Sequence, residues 1–231
     1  MAAPASTDRP HRMFSRFYAR MSTRMEGARL GDLRDELLAD LHGGVVEVGA
    51  GTGLNFTHYP ATVTKVTAVE PEPYLRRLGV EAAVAARMPV EVVSGDGERL
   101  PLADDSVDAV VSSMVLCSVD SRAAVLAEVG RVLRPGGELR FFEHTLADGA
   151  VLRSVQHIAD ATFWPRLGGG CHTAVDMVDA ITGAGFTPDV GAPVLLPRRD
   201  SSHSGEPARA RAGALARTVS GLTRSALIPQ R

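Results

Sequence analysis

The sequence predicts an α/β fold built on one doubly wound, mostly parallel sheet, and three observations carry that expectation. Short valine-rich runs alternate with longer helical patterns over most of the chain, the order that right-handed βαβ units impose. The first run, Val45, Val46 and Val48, leads straight into Glu47-Val48-Gly49-Ala50-Gly51-Thr52-Gly53. A glycine loop at the carboxyl end of a first strand is where open α/β sheets hold nucleotide-like ligands. Finally, 231 residues at 45% hydrophobic content suffice for one full core with tails.

The elements follow in order. Residues 1–10 are rich in Ala and Pro and read as a flexible N-terminus. From 11 to 41 the pattern is helical, with Phe14, Phe17, Tyr18, Met21 and Met25 on one face and Arg16, Arg20 and Arg24 on another. This helix is expected to be a lid with Phe17 and Tyr18 packed inward. The rival reading, a basic amphipathic surface touching membrane, has a short apolar stripe against it. A strand at 44–49 meets the glycine loop, and a helix is expected from Leu54. The second strand, Val63 to Val69, ends in Glu70-Pro71, and a helix runs from Pro73 to Arg87. The third, Val90 to Val93, ends at Gly95-Asp96. The fourth, Val107 to Ser112, continues into Met114-Val115-Leu116-Cys117. A helix over Ala123 to Leu133 stops at Arg134-Pro135-Gly136-Gly137. The fifth strand, Glu138 to Phe142, ends in Glu143-His144. Helices at 148–163 and 173–184 precede two closing strands, Phe186 to Val190 and Val194 to Leu196. The domain therefore spans 11–197, with its binding core at 43–143. Residues 198–231, rich in Arg, Ala, Ser and Gly, read as a disordered tail.

The glycine spacing narrows the ligand. Glycines at alternate positions let backbone approach a bound molecule without Cβ clashes. A dinucleotide fingerprint starting at Gly49 needs glycine at 54, where Leu54 stands, and the Gly-Lys-Ser/Thr of a P-loop is absent. Leu54 thus argues against a nicotinamide oxidoreductase. Glu70, at the end of the second strand, sits where nucleoside-binding folds place an acid against ribose hydroxyls. Asp96, on the same rim, is positioned to meet an adenine amino group, unless it merely forms its Asp-Gly turn.

The ordered set of glycine loop, Glu70, Asp96, the run Leu100 to Asp108 and Arg131-Val132-Leu133-Arg134-Pro135-Gly136-Gly137 resembles the methyltransferase type 11 group of class I S-adenosylmethionine-dependent methyltransferases. Val115-Leu116-Cys117-Ser118-Val119, Glu143-His144, and Gln156 to Asp160 with Trp164 and Gly170-Cys171-His172 resemble the methyltransferase-like protein 7 group and its bacterial relatives, whose animal members are thiol S-methyltransferases. The resemblance covers 11–190 and implies a Rossmann-like class I methyltransferase fold with S-adenosyl-L-methionine as cofactor. It implies cofactor contacts from Glu47, Gly49, Gly51, Gly53, Asn55, Glu70, Pro71, Asp96, Gly97 and Met114. The acceptor it implies is small and apolar, a thiol first. The alternatives are a quinone, lipid or secondary metabolite methylated at O, N or C, or a non-catalytic S-adenosylmethionine-binding interaction module. Two departures stand out: the apolar anchor of the animal proteins is not seen here, and the region after Pro197 does not read as a closing strand.

In-line methyl transfer needs alignment in a dry pocket more than covalent help. A thiol acceptor reacts as thiolate, and a free thiol titrates near ~8.5, so a base assists at neutral pH. His144 and His172 are the candidates; each is equally readable as an ordinary hydrogen-bonded group. Cys117, Cys171 and Trp164 are candidate acceptor-site residues, with core packing as the plainer reading. Asp160 either orients a histidine or caps its own turn.

Charge and composition exclude other classes. A net charge of -2 gives no pull toward nucleic acid, and no run approaches the ~18 apolar residues of a membrane span. The expectation is a cytoplasmic enzyme with a small-molecule acceptor. Two cysteines make neither a disulfide framework nor a zinc site by themselves, so no metal is expected.

Overall fold

The computed structural model describes residues 12–25, 28–187, 190–195, 215–219 and 223–224. Strands β1 (Gly43–Val48), β2 (Val63–Val69), β3 (Val90–Val93), β4 (Val107–Ser113) and β5 (Leu133–His144) are parallel neighbours in the order β3-β2-β1-β4-β5. The chain winds outward from β1 to β3 and restarts at β4 on the other side. The order thus reverses between β1 and β4, where such sheets open a ligand crevice.

Side-chain alternation along β1 divides the interior in two. Val46 and Val48 join Val110, Leu126, Val129 and Phe141 on one face. Val45 joins Leu37, Phe56, Tyr59 and Val111 on the other. Helices α1 (Arg12–Met25), α2 (Ala28–Leu38), α3 (Pro73–Ala83), α4 (Arg122–Val132), α5 (Ala150–Thr162), α6 (Trp164–Leu167) and α7 (Met177–Gly183) fill the layers around it. Their starts are written locally. Glu72 caps α3 by accepting from the Leu75 N–H at 2.7 Å ahead of Pro73, and Ser121 caps α4 through the Ala124 N–H at 3.2 Å.

Several expectations are corrected. The single N-terminal helix is two, α1 and α2. No helix begins at Leu54; residues 54–58 are turns, held by bonds such as Phe56 N–H to the Gly53 carbonyl. β4 ends within one residue of its expected bound, because Met114 adopts φ +62° and turns the chain out of the sheet before Cys117. On α1, Phe17 is 57% exposed rather than packed inward, while Ser15 and Ala19 are buried. The side chains of Phe14, Arg24 and Met25, and residues 1–10, lie outside the described residues.

The closing strands differ most. β6 (Phe186–Thr187) and β7 (Val190–Leu195) are joined by β8 (Leu215–Val219) and β9 (Thr223–Arg224) from the segment read as a disordered tail. β8 lies antiparallel between β5 and β7, pairing Phe141 with Val219 and His144 with Ala216. The rest of 198–231 lies outside the described residues. Among the described residues, no helix is long and apolar enough to cross a membrane.

Candidate active site

The glycine loop is pinned from two sides. Its N–H groups at Gly49 and Ala50 donate to the Val69 carbonyl at 2.8 and 3.2 Å, and that of Gly51 donates to Glu70 Oε2 at 2.7 Å. The other oxygen of Glu70 accepts from its own turn, the Glu72 N–H, at 2.9 Å. Glu70 therefore braces the loop as well as facing the rim, and burial pushes its carboxyl above the ordinary range against the pull of those two bonds.

Glu47 works from beneath. It is buried with one oxygen accepting from Asn55 Nδ2 at 2.9 Å and the other from Tyr59 Oη at 2.7 Å. Arg34 of α2 in turn donates to Asn55 Oδ1. Burial pushes Glu47 up to about 7, although the bonds from Tyr59 and Asn55 and the Arg34 charge oppose the rise. Glu47 and Asn55 thus shape the loop from below.

Two glycines show what the loop leaves room for. Gly49 has φ +63°, and a Cβ there would sit 2.6 Å from Val115 Cγ2, so close packing of the β4 turn demands glycine. Gly51 has φ +57°, but a Cβ there would meet nothing nearer than the Tyr18 ring of α1, at 3.6 Å. That is ordinary van der Waals contact: Gly51 is buried, with the Tyr18 ring lying over its backbone. Beside it, the Thr52 hydroxyl oxygen is buried with no hydrogen-bond partner among the described residues. α1 also reaches α3: the Arg16 guanidinium lies 5.9 Å from the Tyr74 ring centroid.

Gly53 and Gly97 make room for packing, against Phe56 and against Val48 and Val125. Asp96 forms its turn: Oδ1 accepts from the Glu98 and Arg99 N–H groups at 2.9 and 3.1 Å. Pro71 follows Glu70 on the rim, its carbonyl accepting from Arg76 at 2.9 Å. Met114 N–H donates to the Phe142 carbonyl at 2.7 Å, which fixes the turn after β4 to β5.

Sequence reasoning gave Glu143 no role, yet it organises the second loop. Fully buried at the end of β5, its Oε1 accepts from Ser112 Oγ and the Val115 N–H, each at 2.8 Å, and from the Leu116 N–H at 3.0 Å. Oε2 accepts from the Cys117 N–H at 3.2 Å. The signal was an acid directly after Phe141-Phe142 at the end of the fifth strand.

That loop delivers Cys117 to a cluster. Cys171 Sγ lies 3.5 Å from Cys117 Sγ and 3.2 Å from His144 Nδ1, and all three side chains are buried. The hydrogen bond with Cys117, then the bond to and charge of His144, hold the Cys171 thiol down despite burial; the same contact and burial push Cys117 up. Cys171 arrives on a glycine turn after α6, where the Gly170 N–H donates to the Pro165 carbonyl at 2.7 Å. The indole N–H of Trp164 favours the Cys171 anion, although Nε1 is buried without a partner at hydrogen-bond geometry among the described residues.

His172 stands apart. Its side chain is 45% exposed with Nδ1 3.7 Å from Asp160 Oδ2, while its backbone N–H donates to the Cys117 carbonyl at 2.7 Å. Asp160 chiefly caps the following turn, accepting from the N–H groups of Thr173 and Ala174 at 3.0 and 2.8 Å. The structure therefore gathers Cys117, His144, Cys171 and Trp164, and leaves the partly exposed His172 outside that cluster.

Known proteins share parts of this sequence and its fold. Residues 46–141 match a methyltransferase domain family. The chain is 40% identical over 132 residues to thiol S-methyltransferase TMT1B of Rattus norvegicus, covering 55% of this chain and 53% of that protein. It is 36% identical over 147 residues to thiol S-methyltransferase TMT1A of Homo sapiens, covering 62% and 59%. It spans little more than half the length of these curated relatives. A SAM-dependent methyltransferase structure from Thermotoga maritima shares the fold at a TM-score of 0.65 and 22% identity, over 93% of this chain and 99% of that one. Sheet order, glycine loop and family match converge on a class I, Rossmann-like methyltransferase fold, with residues 46–141 carrying the match to the methyltransferase domain family.

Proposed function

We propose that this protein binds S-adenosyl-L-methionine at the β1 glycine loop and methylates a small, apolar acceptor, a thiol first. The observation that carries the reading is the glycine loop at the point where strand order reverses, its Gly51 N–H held by Glu70. The ligand fits what is there. Tyr18 lies over Gly51, and the Thr52 hydroxyl, without a partner among the described residues, needs one that a polar ligand supplies. When bound, the cofactor supplies an electrophilic methyl group on a sulfonium.

The chain's own residues do the rest. Glu70 has lone pairs left for ribose hydroxyls after its two backbone bonds, and Asp96 retains Oδ2 on the same rim. Tyr18 of α1 covers the loop and excludes water, the role expected of a lid. Val115 and the turn held by Glu143 form the wall on the acceptor side. His172, the exposed histidine, is the candidate to receive an acceptor proton; His144 already has Nδ1 engaged by Cys171. The thiol preference rests on the likeness to thiol S-methyltransferases, which runs beyond the glycine loop.

Calorimetry is expected to give micromolar S-adenosylmethionine binding, about 8 kcal/mol. Gly51→Leu should abolish it, and Glu70→Ala should weaken it by about 1.5–3 kcal/mol, the worth of bonds to a charged group. Binding of NADH without S-adenosylmethionine would end the reading. For the acceptor, an alkyl thiol is compared with the matched alcohol, phenol and amine. Turnover of the thiol, cut 10²–10⁴-fold in His172→Gln with cofactor affinity kept, is the expected result. An inert thiol beside an active phenol or amine would discard the thiol and keep the methyltransferase.

A further inference from the structure

We infer that Cys117, His144 and Cys171 form a three-donor site for a soft divalent cation of the zinc class. Their ligating atoms all lie within 4.8 Å of one another, with Sγ···Sγ at 3.5 Å and Sγ···Nδ1 at 3.2 Å. Zinc bonds of ~2.3 Å to sulfur and ~2.0 Å to nitrogen, set tetrahedrally, separate two sulfurs by roughly 3.8 Å and a sulfur from a nitrogen by roughly 3.5 Å. An ion therefore enters by spreading the donors a few tenths of an ångström. Two thiols and an imidazole are the donors of zinc rather than of magnesium or calcium.

The surroundings are those of charged sulfur rather than of packed thiols. Ser118 Oγ lies 3.6 Å from Cys117 Sγ, and the Trp164 indole N–H, which favours the Cys171 anion, is buried with no hydrogen-bond partner among the described residues. A metal-bound thiolate gives both of them an acceptor, which is what outer-shell donors are for. Cys117 is fixed at both ends of its peptide unit, its N–H on Glu143 and its carbonyl under the His172 N–H. A disulfide would need the sulfurs to close to ~2.05 Å and would leave the His144 and Trp164 nitrogens unanswered.

The sequence hides this site. Its cysteines are far apart in the chain, one after β4 and one after α6, with no paired spacing to mark a ligand set. Three protein donors are the pattern of zinc sites that keep one position for an external ligand. The cluster is on the cofactor rim, since Val115, two residues before Cys117, packs against Gly49. The fourth position is then where an acceptor thiol is held as thiolate. That consequence rests on the thiol reading; the metal site does not.

The test uses the full chain, reduced, stripped with a chelator and titrated with cobalt(II) alone, then with zinc. One equivalent of cobalt should give the charge-transfer absorption of thiolate ligands and tetrahedral visible bands, and zinc should displace it. Cys117→Ser, Cys171→Ser and His144→Gln should each weaken binding by more than the 10–100-fold that loss of an outer-shell partner costs, while His157→Gln leaves it unchanged. Far-UV dichroism and S-adenosylhomocysteine binding report whether each variant is folded. For any that is not, the unaltered protein serves: one equivalent of zinc should shield both thiols from a maleimide. No cobalt bands, bands that survive in the cysteine variants, or a disulfide that metal does not prevent would each overturn the site. Cobalt binding reads no methyl transfer, so a protein that takes the metal and methylates no thiol keeps the site and loses the thiol reading.

Discussion

Glu47, one residue before the end of β1, has its carboxyl sealed from water, and that burial has a pH signature. Burial raises it from the ordinary 4.5 to about 7, so the folded state takes up a proton that the unfolded chain has released between those values. The sign follows: its contribution is intact below pH ~4.5 and is lost as pH climbs to ~7, by about 3 kcal/mol. Tyr59, Asn55 and Arg34 offset part of a larger desolvation cost rather than abolishing it. Glu47→Gln, which keeps an acceptor for Tyr59 or Asn55, is expected to flatten the stability curve between pH 4.5 and 7. Urea titrations across that range measure it, with Glu70 and Glu143, also raised by burial, retaining their own slopes. An unchanged slope in Glu47→Gln would mean the carboxylate titrates normally. Glu47 and Gly49 to Gly53 were legible in the sequence because spacing alone marks them. Their division of labour was not: that Glu47 and Asn55 hold the loop from below depends on Tyr59 and Arg34, whose contacts no local pattern announces.

Elements were most legible where one segment decides its own fate. β2 and β3 match their expected bounds, and α3 and α4 start at caps written into neighbouring residues. The helix expected after Leu54 fails because Asn55, Phe56 and Tyr59 are drawn into the sheet's own core and the Glu47 network, so tertiary partners override local preference. The turn after β4 was not marked in the sequence, because what holds its bend, Glu143, lies on a different strand. That turn gives the element-scale prediction. Removing the carboxylate in Glu143→Ala leaves three backbone N–H groups and the Ser112 hydroxyl without their acceptor. At ~1–3 kcal/mol for each buried unmet donor, a stability loss of at least about 3 kcal/mol is expected from urea unfolding, with cobalt affinity falling as Cys117 loses its anchor. A loss under ~1 kcal/mol would show that water replaces the carboxylate.

For the whole molecule, the sheet's far edge depends on β8. Among the described residues β7 has no other strand to pair with, and β5 has β8 along Phe141 to His144. Ending the chain at Arg199 should therefore lower the melting temperature by more than ~5 °C, the counterpart of at least ~2 kcal/mol at this size. A shift within ~2 °C would show that β5 stands without its neighbour. The tail was illegible because a strand of five residues between polar, glycine-bearing stretches looks like disorder until a buried edge claims it. The same pairing sets a clock. At ~5–20 residues per second of synthesis, β8 follows β5 by roughly 4–15 s. Through that interval the growing chain has made Phe141 and Phe142 but not the strand that finishes their row. The nascent protein must wait, half-edged, and that wait is when stray strands compete and a chaperone has something to hold.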